Sequence, residues 1–240
     1  MQHASEFCQS IQKNMLRKEK KWQVDYSYMD FQVKIDETTR STLIDWIIQI
    51  HYNFRLLPES LFLTINIIDR YFSSRQIHAR EAQLVALAAM LIATKYEEIY
   101  PPLLKDFVYI CDQLYQASDI LEMERNILFE LDFDIQQTSA YRFLERFAKH
   151  QKLDQVTFYL AQYMLELGLL DSKMNQFSCS LQAISAIYTA KKYLKCFSNS
   201  ESGSADAPFS LDDFDIVKSR LTMDDVRNCA RCFHQLANLI

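Results

Sequence analysis

The chain has 240 residues, with 26 Lys and Arg against 31 Asp and Glu and a formal net charge of −5. Apolar and aromatic side chains make up 49% of it, enough for one large core or two small ones. Only two glycines, Gly168 and Gly203, and four prolines occur, which argues against sheets with many tight hairpins and against doubly wound α/β folds, because positive-φ turns and close backbone approaches draw on glycine.

A mainly helical chain remains, and its elements can be read in order. Residues 5–21 carry Phe7, Ile11, Met15 and Leu16 near a 3.6-residue period, which predicts a helix. Residues 22–38 show no period and read as an extended connector. From Thr39 the residues Leu43, Ile44, Trp46, Ile47, Ile48, Ile50 and Phe54 surround a helix almost completely, which predicts burial on most sides. Pro58-Glu59 opens the next helix, since proline lacks only an N–H that the first turn does not use. Leu61, Leu63, Ile67, Ile68, Tyr71 and Phe72 form its apolar face, and Ser73-Ser74-Arg75 breaks it. Ala82–Tyr96 is Ala-rich, as a helix in the middle of a bundle would be. Pro101-Pro102 starts a helix to about Cys111, and residues 118–131 form another with Ser118 as its cap.

The architecture follows from an internal repeat. At a constant offset of 97 residues, which carries Leu61 onto Phe158, Leu63 meets Leu160, Leu84 meets Leu181, and Ala86, Ala89 and Ala93 meet Ala183, Ala186 and Ala190. Lys95-Tyr96 meets Lys192-Tyr193. Two helices and their connector keep one register without a gap, which predicts two tandem helical domains of about five helices each, the second starting near Thr138. The Ser/Gly/Asp-rich insert Ser198–Pro208 reads as a mobile surface loop.

Little in the chain carries catalytic chemistry. Neither G-x-G-x-x-G nor G-x-x-x-x-G-K can be built from two glycines. The five histidines are scattered, and Glu97-Glu98, adjacent on a helix, point about 100° apart and read as a charged helix end. Cys229-x-x-Cys232 before His234 lacks the second pair that zinc sites use and reads as two small core residues. No cofactor or metal is expected. The mildly acidic balance and the interrupted basic run Arg17–Lys21 argue against nucleic acid as the main ligand. The apolar run Leu84–Ala93 is too short for a membrane span, and the start of the chain has no secretory leader. These features point to a soluble intracellular protein.

What stands out is charge inside apolar segments: Arg40, Asp45, Asp69, Lys95 and Glu124. Buried unpaired charge is costly, so such groups should be paired or meet a partner. Asp45 and Asp69 are expected to pair internally with Arg40 or Arg70. For Lys95 and Glu124, near helix ends, internal pairing and use at an interface are both open.

The stretches Arg40–Trp46, Phe54–Leu61 (FRLLPESL), Ile68–Phe72 (IDRYF), Leu91–Pro102 (LIATKYEEIYPP), Asp106–Ile110 (DFVYI) and Leu121–Glu124 (LEME) resemble the cyclin box of an A/B-type mitotic cyclin, in that family's order and spacing. The nearest flavour is B-type, from Phe54–Leu57 and Asp106–Ile110, and Leu165–Asp171 resembles the matching helix of the C-terminal box. The resemblance implies an all-α chain of two tandem five-helix cyclin-box domains preceded by an N-terminal helix: helix and connector over 1–38, the N-terminal box over 39–137 and the C-terminal fold over 138–240.

It also implies a function: a non-catalytic regulatory subunit that binds and activates a cyclin-dependent protein kinase in mitotic cell-cycle control, in nucleus and cytoplasm. Arg40 and Asp69 would form a structural ion pair. Lys95 and Glu124 would reach the kinase main chain around its PSTAIRE-like helix, on an apolar surface of Ile92, Tyr96, Ile99, Leu128, Phe133 and Ile135. The N-terminal helix around Ile11–Leu16 would pack on the second part of the box and touch the kinase. The substrate-docking patch would comprise Thr39, Thr42, Leu43, Trp46 and Gln83. Threonine at 39 and 42, where the family has apolar residues, implies weak binding of Arg-x-Leu substrates. The competing reading is a scaffold or transcription-factor-like protein with the same double fold, although such DNA-binding proteins should carry basic stripes that this chain lacks.

Overall fold

The computed structural model describes residues 7–198, 209 and 220–238. Among them are ten α-helices, two short 3-10 turns and no strand. In chain order the helices are α1 (Cys8–Lys18), α2 (Glu37–Phe54), α3 (Pro58–Ser74), α4 (Ala79–Glu97), α5 (Leu104–Ile110), α6 (Ala117–Glu130), α7 (Ala140–Gln151), α8 (Gln155–Gly168), α9 (Cys179–Ser198) and α10 (Met223–Ala237). Apart from Ser198, the predicted insert loop lies outside the described residues.

The chain forms two compact units. One contains Val24–Gln137 and Leu169–Gln176; the other contains Met1–Gln23, Thr138–Gly168 and Phe177–Ile240. The stretch 1–38, expected to be a helix followed by a connector, is divided between them at Gln23/Val24.

In the first unit α4 is the central helix, packed against α2, α3, α5 and α6. Its run from Val85 to Ala93 is buried throughout, which explains why it is Ala-rich: small side chains let several helices approach one axis. In the second unit α9 has the same role against α7, α8 and α10. Ala86, Ala89 and Ala93 and their repeat partners Ala183, Ala186 and Ala190 are all fully buried. The sequence repeat therefore records one packing solution used twice.

Several local expectations are corrected. The connector is not wholly extended: Tyr28–Phe31 is a 3-10 turn whose Tyr28 and Met29 are buried. Nor is α2 buried on most sides, because Thr42, Asp45 and Gln49 are exposed on one face. α5 begins at Leu104, and α6 begins at Ala117 with Gln116 as its cap residue instead of Ser118. Their acids reach backwards instead. Asp106 accepts from the Leu103 N–H and Asp119 from the Gln116 N–H, each at 2.8 Å. Scarce glycine leaves helix ends in the left-handed region to other residues. Arg55 and Lys152 close α2 and α7 at φ of 55° and 51°, a conformation that glycine usually takes.

Candidate functional site

Lys95 lies in the last turn of α4, and Glu124 lies in α6, which packs against it. The Lys95 ammonium donates to both Glu124 oxygens, at 2.7 and 2.8 Å. The side chains are 48% and 14% exposed, so the pair is open to water. In this chain the two charges therefore satisfy each other, within reach of an incoming partner.

Apolar groups accompany them. Tyr96, Ile99 and Phe133 are exposed, by 48%, 84% and 60%, and Leu128 and Ile135 are half-buried. Ile92 is a correction: at 3% exposure it belongs to the core and not to this exposed surface. Phe133 has φ of 56°, its N–H bonds the Leu128 carbonyl at 2.9 Å, and its ring meets Phe129 edge-on at 5.6 Å. A left-handed phenylalanine is unfavourable by roughly 1–2 kcal/mol; here it turns a large ring outward. The sequence reading named neither Phe129 nor Tyr100, both strongly exposed. The available signal was an excess of aromatic residues beyond what one buried stripe requires.

Arg40 and Asp69 form a buried ion pair at 2.7 Å. It belongs to a network the sequence reading did not contain. The Tyr28 hydroxyl donates to Asp69 and accepts from Arg40 Nε, Arg40 also donates to the carbonyls of Leu169 and Leu170, and Asn175 donates to Asp69. Burial by itself would lower the Arg40 pKa, but Asp69 and Tyr28 together hold it above its usual value. Burial, reinforced by the Asp69 charge, pushes the Tyr28 phenol well up. Asp45, expected in an internal ion pair, is exposed and accepts from Gln49 at 2.8 Å. Arg70 donates instead to the Asp134 carbonyl at 2.8 Å.

Thr39, Thr42, Leu43, Trp46 and Gln83 share the wall of one shallow cavity of about 530 Å³, together with Ala79 and Ala82 of α4. Both threonine hydroxyls are turned back: Thr39 donates to the Asp36 carboxylate at 2.6 Å and Thr42 to the Thr38 carbonyl at 2.9 Å. Asp36 caps α2, and these bonds to Thr39 hold its carboxyl below the usual range. Elsewhere, burial pushes the Cys229 thiol up to about 12. Among the described residues no cluster of three or more His, Cys, Asp or Glu side chains could hold a metal ion. No described helix is long and apolar enough to cross a membrane.

The family description "Cyclin, N-terminal domain" matches residues 10–136, and "Cyclin, C-terminal domain" matches residues 138–239. The chain belongs to the cyclin family. Cyclin-B1-3 of Arabidopsis thaliana is 46% identical over 164 residues, covering 68% of this chain and 40% of that protein. G2/mitotic-specific cyclin-2 of Medicago sativa is 40% identical over 168 residues, covering 70% of this chain and 51% of that protein. The similarity is thus to B-type cyclins, and the chain matches about two-fifths to a half of the length of these relatives. In structure, a viral cyclin from herpesvirus saimiri superposes with a TM-score of 0.80 at 17% identity, covering 94% of this chain and 96% of the other. That likeness establishes the all-α double cyclin fold.

Proposed function

We propose that this cyclin is a non-catalytic regulatory subunit that binds and activates a cyclin-dependent protein kinase in mitotic control, acting in nucleus and cytoplasm. The observation that carries the reading is the solvent-open Lys95–Glu124 pair, with exposed Tyr96, Ile99 and Phe133 at or just beyond the ends of the same two helices, α4 and α6, in a chain similar to B-type cyclins. Exposed peptide groups at the ends of a partner helix need a donor and an acceptor. Lys95 supplies up to three N–H donors and Glu124 two acceptor oxygens. Their mutual bond can be exchanged for bonds to the kinase main chain while the helix lies on the apolar residues between. Binding one orientation of that helix better than the other shifts the kinase towards its active state. The docking cavity around Trp46 and Leu43 would take Arg-x-Leu substrates weakly.

The test is reconstitution with a PSTAIRE-type kinase and assay of histone phosphorylation. Lys95→Ala with Glu124→Ala should leave the circular dichroism of the chain unchanged and abolish activation. Full activity in the double variant would remove these two residues from the mechanism.

A further inference from the structure

A second cleft in the unit containing Val24–Gln137, of about 780 Å³ against about 530 Å³ for the cavity at Trp46, lies between the end of α2, the 98–102 loop and α5. Its polar lining is unbalanced. Glu98, Asp106 and Asp112 face it against a single guanidinium, Arg55, and the well-exposed rings of Tyr100 and Tyr109 stand at its wall.

Two of the three acids are held in place. One Glu98 oxygen accepts from the Leu57 N–H and the Ser60 hydroxyl, at 2.7 and 2.6 Å, and one Asp106 oxygen accepts from the Leu103 N–H at 2.8 Å. Among the described residues the second oxygen of each has no donor. The side chains of Asp112, Arg55, Tyr100 and Tyr109 have no hydrogen-bond or ion-pair partner in the described residues. Pre-positioned acceptors in excess beside aromatic faces match a cationic side chain, by charge and by cation–π attraction. Arg55 can donate to a peptide carbonyl. The 98–102 loop is also the loop that carries Ile99 of the candidate kinase face, so whatever occupies the cleft is held next to that face.

We infer that this cleft docks an extended segment carrying lysine or arginine, belonging to a protein substrate of the bound kinase. The origin of the segment rests on the proposed function; the chemistry of the cleft does not. Asp112 is the informative position. Its φ of 51° is left-handed, and asparagine tolerates that conformation as aspartate does, so Asp112→Asn removes the charge without disturbing the backbone.

Two experiments test the inference. Arrays of degenerate peptides with lysine, arginine or glutamate fixed at the centre are probed with the purified chain, with Asp112→Asn and with Tyr109→Ala. Lysine and arginine spots should bind, glutamate spots should not, and each variant should weaken the basic spots about fivefold. In the reconstituted kinase, a substrate with an appended lysine-rich segment should show a lower KM than its glutamate counterpart, and Asp112→Asn should erase the difference while leaving kcat unchanged. Equal binding of basic and acidic peptides, or indifference to both variants, overturns the inference. Failure of the proposed function reads differently: the kinase would then not be activated at all, while the arrays would still report the charge preference.

Discussion

Arg40 shows how one buried charge is made tolerable. Its donors meet Asp69, the Tyr28 hydroxyl and the carbonyls of Leu169 and Leu170, so the guanidinium leaves water without losing its hydrogen bonds. Asp69→Ala strands this cation and should cost roughly 3–5 kcal/mol. Tyr28→Phe removes one neutral group from the network and should cost about 1–3 kcal/mol. Urea unfolding of both variants checks the order, and a larger loss in Tyr28→Phe would mean that the phenol's hydrogen bonds hold the network more strongly than the Asp69 charge does. Arg40 and Asp69 were legible because charges inside apolar runs need partners. Tyr28, Asn175 and the two carbonyls were not, because they come from segments whose local pattern says nothing of a distant guanidinium. The cavity at Trp46 is a second case at this scale. With their hydroxyls turned back, Thr39 and Thr42 lack the reach of Met and Ile, a loss worth on the order of 1–3 kcal/mol. Thr39→Met with Thr42→Ile should strengthen binding of a labelled Arg-x-Leu peptide about ten- to a hundredfold in fluorescence anisotropy. No gain would mean that Leu43, Trp46 and Gln83 already set the affinity.

Among the elements, α1 and α9 are tied by one carboxylate. Glu19, just after α1, accepts from the Ser180 N–H at 3.0 Å and from its hydroxyl at 3.2 Å, at the start of α9. Burial raises the Glu19 pKa above its ordinary value, against the lowering effects of Ser180, Arg220 and Lys20. A carboxyl whose folded pKa is raised favours the folded state most below its unfolded pKa, and that contribution is lost as pH rises through the folded pKa. Glu19→Gln keeps an acceptor for Ser180 without the charge. The Tm difference, variant minus native, should therefore grow as pH rises from the ordinary glutamate range to neutrality. A difference constant with pH would show that Glu19 does not titrate differently on unfolding. Asp154 and Asp225 act with the opposite sign. Hydrogen bonds from Thr157 and Thr222 lower their pKa values, so their contributions are present above the ordinary carboxylate range and fade as pH falls. The Thr222–Asp225 capping box has a local three-residue spacing, although it was not singled out from the sequence. Glu19 has no such spacing, because a cap supplied from a different helix leaves no local signature.

At the scale of the whole molecule, the repeat at an offset of 97 residues exposed the architecture because the same alanine positions must be small wherever a central helix is surrounded. Function was less legible, since it depends on which charges stay open to water. The Lys95–Glu124 pair is internal to the chain yet open to water. An ion pair this exposed stabilises a fold by about 0–1 kcal/mol, so breaking it to reach a kinase costs little. The charge exchange Lys95→Glu with Glu124→Lys separates the two roles. It rebuilds the internal pair, so the urea midpoint should stay within about 0.5 kcal/mol of the native chain. In the proposed contact it also places an acid where the partner's carbonyls need a donor and an ammonium where its N–H groups need an acceptor. Such reversed contacts cost more than absent ones, because like polarity repels and both sides lose water. Activation of a PSTAIRE-type kinase should therefore be lower in the exchanged chain than in the double alanine variant, with both chains fully folded by circular dichroism. Native-level activation by the exchanged chain would show that only the internal pair matters, and that Lys95 and Glu124 never touch the kinase.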